Sequence, residues 1–432
     1  MKQCPSYGMG RRSFLQIGAL PILGLNLANI LKLSQRNNKS CILFYLGGGM
    51  SHIDTYDPKP DASSGIRGEY KPISTNVPGI FLSEQFPKQA QVADKFSLIR
   101  SYTHDSNDHE FGERRVISGY SEPGQPCFSA TLMQVMDGGK NNNPPLGNIL
   151  LGSRDYNYLH TTNSSSFIKK RYNPLFVEQN PADQGFKVDE IQLANGLTIS
   201  DLRNRFRLLD QLDGLKRLTD KKLDDMDTYY QQAYEIITGQ KVVSAFNIGE
   251  ESRDTCDLYG RTPIGHRALL ARRLIESGVK FVTIHARGYD FAGWDYHKYI
   301  FQYMPIACAP YDQAIAALIV DLAELNLLDD VLVLAFGEFG RTPKINEDAG
   351  RDHWPKAGSI LVAGGGVSGG HIYGSTDFRG AEIKSKPVSP QDFLATIFNI
   401  FGFEPETYTT DSVGRRHFIV PEGSQVIRDL FI

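Results

Sequence analysis

The chain has 432 residues, 41% hydrophobic and 22% charged, the balance of an ordinary globular protein rather than a disordered one. Lys and Arg number 46 against 49 Asp and Glu, a net charge of −3, which argues against a nucleic-acid binder held by phosphate contacts. The 41 Gly and 22 Pro follow no fixed period, so they mark turns and not a collagen-like helix. Cys4, Cys41, Cys127, Cys256 and Cys308 are widely spaced and form no CxxC pair, which speaks against a disulfide framework and a thiolate zinc site.

The first 36 residues read as an address. Arg11-Arg12 precede Ser13-Phe14-Leu15 and an apolar run from Ile17 to Leu31, the layout of a twin-arginine export signal. The expected partner is the twin-arginine export machinery, and the expected location is the periplasm or cell envelope. No clean A-x-A cleavage site is visible, so the segment reads either as a cleaved signal or as an N-terminal membrane anchor.

From residue 40 to 432 the pattern is that of one large α/β domain. Cys41 to Leu46 is an apolar run entering Gly47-Gly48-Gly49, which predicts a buried strand and a turn. A helix is expected over Ser83 to Asp94, a strand over Phe96 to Arg100 and a helix over 109–118. Residues 120–250 read as an insertion: loop-rich to 196, then amphipathic and helical from Ser200 to Thr238. Strand–helix alternation then resumes. Helices are expected over Thr262 to Ser277, over Pro310 to Leu325, and from the Ser389-Pro390 cap to Gly402. Strands are expected over Val279 to His285, Val331 to Phe336 and Ser359 to Ala363. The fold class is therefore α/β, a three-layer sandwich with a central, mostly parallel sheet.

In open α/β sheets ligands sit beyond the carboxyl ends of the strands. Four such places carry chemistry here. Gly47-Gly48-Gly49 with Ser51, His52, Asp54 and Asp57 follow the first strand, and Asp290, Asp295 and His297 follow His285. Glu338 and Arg341 follow the strand ending at Phe336, and Arg351, Asp352 and His353 precede the strand that begins near Ser359. Histidines mixed with carboxylates suit a divalent cation such as zinc, manganese, magnesium or calcium. Arg341 and Arg351 are candidates for gripping an oxyanion, or else structural arginines paired to carboxylates. The triple glycine allows close approach of an anion to the backbone, or simply a tight turn.

The motifs LGGGMSHIDTYDPKP (46–60), LLARRLIESGVKFVT (269–283), GWDYH (293–297), GEFGRTPKIN (337–346), GRDHWP (350–355), LVAGGGVSGGHIYGSTD (361–377) and SPQDFLATIFNIFG (389–402) occur in this order. In this the chain resembles the domain-of-unknown-function 1501 family of exported bacterial proteins, which looks like a branch of the alkaline phosphatase and sulfatase superfamily. The resemblance implies an alkaline-phosphatase-like sandwich with metal ligands at strand ends. By motif order Asp295, His297 and His353 match metal ligands, and Glu338 stands where active relatives carry an Asp-His pair. The carboxylates that relatives place after the first strand are replaced by Gly47-Gly48, with Asp54 a candidate substitute. Counting back ten residues from Gly119, where relatives carry a Cys, Ser or Thr nucleophile, lands on His109. Two functions follow as expectations: an exported metal-dependent hydrolase of phosphate or sulfate esters, with His109 in catalysis, or a catalytically inactive envelope binding or assembly module.

Overall fold

Apolar runs of five to seven residues form the middle of one eight-stranded sheet. The computed structural model describes residues 39–138, 147–152, 167–168, 172–183, 185–186, 188, 240–286, 293–411 and 413–431. The strands are β1 (Ser40–Tyr45), β2 (Phe96–Tyr102), β3 (Asn148–Leu151), β4 (Leu175–Val177), β5 (Phe281–His285), β6 (Val331–Phe336), β7 (Gly358–Ala363) and β8 (His371–Tyr373). Their spatial order is β8-β2-β7-β6-β1-β5-β3-β4. All run in one direction except β7, which is antiparallel to both β2 and β6. The sequence reading of a mostly parallel sheet between helices is therefore the observed fold.

The continuous apolar character of the central strands follows from burial on both faces. Ile42 and Phe44 of β1 point into one core with Val333 and Ala335 of β6. Cys41, Leu43 and Tyr45 point into the other with Leu332, Leu334 and Phe336. The first core is covered by α3 (Pro263–Glu276) and α4 (Ile300–Glu324), through Leu270, Leu274, Ile315 and Leu318. The second is covered by α1 (His109–Ser118), α2 (Phe128–Asp137) and α5 (Pro390–Ile400), through Val116, Leu132 and Leu394.

Local chemistry sets the helix ends. Asp108 caps α1 by accepting from the Phe111 amide at 3.1 Å, and Gly119 ends it in the left-handed conformation at φ 83°. Thr262 and Ser389 cap α3 and α5, each followed by a proline at the first helical position.

Three sequence expectations are revised. The helix over Ser83 to Asp94 is only a short turn, Pro87–Ala90, followed by a 3-10 turn, Ala93–Lys95. Helix α4 begins at Ile300, ten residues before Pro310, and contains both Pro305 and Pro310. Burial of Met304, Cys308 and Tyr311 in the core offsets the backbone hydrogen bonds that the prolines remove. By length and composition α4 could cross a membrane, but its inner face is packed against the sheet. Within 120–250, α2 flanks the sheet while β3 and β4 complete its edge. The short runs NILL and LFV are strands because β5 offers β3 a paired edge, which the local sequence does not show. The export segment, the Ser200 to Thr238 helix and Asp290 lie outside the described residues.

Candidate metal centre

The three central strands β6, β1 and β5 release their chains at the same edge of the sheet, and β7, running the other way, enters there. Residues distant in sequence therefore meet. After β5 comes Asp295, after β2 comes His109 at the start of α1, and before β7 comes His353. One ligand atom from each of His109, Asp295 and His353 lies within 4.8 Å of the others. His109 Nε2 is 3.2 Å from Asp295 Oδ2, and His353 Nε2 is 3.1 Å from Asp295 Oδ1. His297 joins at the rim, its Nε2 3.0 Å from both Asp295 Oδ1 and His353 Nε2.

The second nitrogen of each ring decides what the cluster can hold. His109 Nδ1 faces Glu338 Oε1 at 2.5 Å, His297 Nδ1 faces Asp352 Oδ1 at 2.7 Å, and His353 Nδ1 faces the Asn107 carbonyl at 2.6 Å. Each of these partners only accepts, so a ring that donates its Nδ1 proton there turns the Nε2 lone pair inward, as a metal ligand requires. The Nε2 atoms of His109 and His353 then converge with the Asp295 carboxylate, His297 Nε2 meets that carboxylate and His353 from the rim, and only a proton or a cation relieves the crowding of these acceptors. Tetrahedral donors at zinc bond lengths stand about 3.3 Å apart, close to the 3.2 and 3.1 Å that separate Asp295 from His109 and His353. The residues present thus fit a divalent cation.

The charges agree with this. Burial pulls the His109 imidazolium down, but the bonds to Asp295 and Glu338 outweigh it and raise its pKa to about 9. Burial would raise the Asp295 and Glu338 carboxyls, yet the His109 bond to each, with His353 and Arg341 beside Asp295, holds both below their ordinary range. A site that holds a proton this firmly is a site of negative potential.

The sequence-predicted residues take three distinct positions. His109, Asp295, His297 and His353 supply the converging atoms. Glu338, Asp352 and Arg341 stand behind them. Glu338 is buried, orients His109, and accepts the Gly48 amide at 2.9 Å and the Tyr45 hydroxyl at 3.2 Å. This gives the triple glycine its role, because it brings a backbone N–H to that carboxylate. Arg341 is fully buried and donates to Asp295 Oδ1 and to the carbonyls of Gly48, Gly49 and Arg351, so it braces Asp295.

Asp54 and Arg351 do not join the centre. Arg351 Nε and Nη2 pair with the two Asp54 oxygens at 2.6 and 3.1 Å, in a fork with both side chains at 0% exposure. The remaining donors go to the carbonyls of Thr342, Pro343 and Ile66. All five guanidinium hydrogens are thereby used, so Arg351 has none for an oxyanion. Asp54 accepts the Ser51 hydroxyl as well, at 2.5 Å. Their role is structural: they anchor the loop that carries Asp352 and His353.

Sequence reasoning did not single out Phe339, whose buried ring lies 5.1 Å from that of His109 and 4.6 Å from that of His353, forming an apolar floor. Nor did it find Asn346, whose Nδ2 donates to the His297 carbonyl at 2.9 Å. Both lie inside GEFGRTPKIN, so the motif located them without assigning a role. Glu338→Gln is expected to weaken metal binding about 10- to 100-fold with the fold intact. Titration with a chromophoric chelator checks this, and unchanged affinity would remove Glu338 from the centre.

No curated protein matches the chain. The fold is similar to that of PsFucS1 sulfatase from Pseudoalteromonas sp., at 11% identity over 86% of this chain and 69% of that one, with a TM-score of 0.39. It is similar to a protein in the alkaline phosphatase superfamily from Vibrio parahaemolyticus, at 8% identity over 85% and 67%, TM-score 0.36. It is similar also to the lipoteichoic acid synthase LtaP from Listeria monocytogenes, at 10% identity over 92% and 75%, TM-score 0.34. A family model described as "Protein of unknown function (DUF1501)" matches residues 38–431, and the chain belongs to that family.

Proposed function

We infer that the protein is a metal-dependent hydrolase of phosphate or sulfate esters. The observation that carries this is the convergence of the His109 and His353 imidazoles on the Asp295 carboxylate, with His297 beside them at the rim and every Nδ1 facing an acceptor. A divalent cation bound there supplies Lewis acidity toward an ester oxygen and lowers the pKa of water. His109, His353 and Asp295 hold it, with His297 at the rim. Glu338 fixes the His109 tautomer and ring plane. Arg341 keeps Asp295 ionised and oriented, and Phe339 closes the floor against water.

The test is a panel of chromogenic phosphate and sulfate monoesters offered to metal-loaded protein and to Asp295→Ala. Turnover by the wild type and its loss in the variant are expected. A loaded wild type that cleaves none of them would overturn the hydrolase reading. It would favour the second reading, a catalytically silent envelope module, which one observation already supports: Arg351 has no donor left for an oxyanion, and Arg341 is fully buried with four of its five donors spent on Asp295 and the carbonyls of Gly48, Gly49 and Arg351.

The same proposal places the protein outside the cytoplasm, on the strength of Arg11-Arg12 and the apolar run that follows. Replacing both arginines by lysine is expected to retain the protein in the cytoplasm on cell fractionation. Unchanged export would remove the twin-arginine route.

A further inference from the structure

The four converging side chains are not held equally. Asp295 is braced by Arg341, which is fully buried. His109 is held by Glu338, whose side chain is 3% exposed. His353 is held by a main-chain carbonyl, that of Asn107. His297 depends on a solvent-facing carboxylate, since the Asp352 side chain is 54% exposed, whereas the exposed Asn107 holds His353 through its main chain. Its own side chain is 40% exposed, against 13% for His109 and 20% for both Asp295 and His353.

The backbone under His297 is pinned even so. Asn346 Nδ2 donates to the His297 carbonyl, and Asn346 Oδ1 accepts from the Gly350 amide at 2.9 Å. Gly350 packs so tightly there that a Cβ would lie 2.0 Å from the His297 carbonyl oxygen. A pinned backbone under an exposed ring allows the side chain to rotate without loop movement. Of the four side chains, that of His297 is the one most open to solvent, while the buried Phe339 ring lies against His109 and His353.

We propose that His297 is the exchangeable donor of the centre, and that an oxygen of a tetrahedral anion, the phosphate or sulfate group of an ester, takes the place of its Nε2. This rests on the metal-centre reading above. With His297 swung out toward Asp352, a dication held by one carboxylate and two neutral imidazoles keeps a net charge of about +1, which attracts an anion. An anion that must displace His297 binds more weakly than one entering an open position, because only the open fraction of the protein is competent.

The test uses the full chain, stripped of metal and reloaded with Co²⁺, whose visible spectrum reports on its donors. Wild type, His297→Ala, His353→Ala and Asp352→Asn are titrated with inorganic phosphate and, in parallel, with sulfate. His297→Ala is expected to keep about one cobalt per chain and to bind anion at least about tenfold more tightly than wild type, with Asp352→Asn in between. The wild-type spectrum is expected to move on anion addition, and His353→Ala to hold no cobalt. If His297→Ala loses cobalt as fully as His353→Ala, or binds anion no more tightly than wild type, the proposal fails while the metal centre stands. A wild type that takes up no cobalt overturns the metal centre itself, and this proposal with it.

Discussion

His353→Ala is expected to empty the metal centre, lowering affinity for a divalent cation by more than about 100-fold, beyond the range seen for orienting residues. His353 contributes one of three mutually adjacent donor atoms, and its Nε2 stands 3.1 Å from Asp295 Oδ1 and 3.0 Å from His297 Nε2. Removing it breaks the set of three mutually adjacent donors and leaves His109 and Asp295 with only the more exposed His297 beside them. The side chain is only partly buried, and Arg341 still braces the loop through the Arg351 carbonyl, so the fold should survive. Elemental analysis of protein purified without chelators, with circular dichroism on the same samples, separates lost metal from lost structure. About one equivalent of metal in wild type and none in a folded variant is the expected pair of results. Equal metal in both, or none in either, would show that these residues do not form a resident metal site.

The largest loss of stability is expected from Asp54→Asn. The substitution keeps the size of the side chain but removes the charge facing Arg351, leaving a guanidinium buried at 0% exposure without its counter-ion. Breaking a buried pair from one side costs about 3–5 kcal/mol. Adding Arg351→Met should not restore what Asp54→Asn loses. The carbonyls of Thr342, Pro343 and Ile66 would then be left without their donors, and an unmet buried carbonyl costs about 1–3 kcal/mol. Urea unfolding followed by circular dichroism measures both variants. A loss under about 1 kcal/mol for Asp54→Asn would show that the pair is not the clamp described here. Because the Arg351 backbone leads directly into Asp352 and His353, the same variant should also loosen metal binding, which connects the stability of this loop to the function of the centre.

Much of this was legible before any tertiary structure. The runs at 41–46, 331–336 and 359–363 are apolar on both sides because both faces of the sheet are covered, and a short run of that kind reads as a strand. Caps do not depend on distant neighbours, so Thr262-Pro263 and Ser389-Pro390 were readable as helix starts. Asp295, His297 and His353 were selected by residue type and by position at strand ends, whereas His109 came from the family resemblance, ten residues before Gly119, as a catalytic residue. Less legible were short strands such as Asn148–Leu151 and Leu175–Val177, whose existence depends on pairing with Phe281–His285 and with each other. The same holds for the extent of α4, where core packing overrode Pro310 as a helix start.

The sequence by itself determined the layered α/β fold and the kind of chemistry available at its strand ends. The tertiary structure alone decided which of those groups face inward. Arg341 and Arg351 are the same residue type ten positions apart, yet one braces Asp295 and the other is spent on Asp54. Glu338 and Asp352 both read as ligands, yet each stands behind a histidine. The physical reason is that a polar side chain's role depends on which of its atoms meets which partner. Those partners are set by the order of strands across the sheet, so that Glu338 meets His109 from 229 positions away and Arg351 meets Asp54 from 297. No local pattern of residues records such a distance.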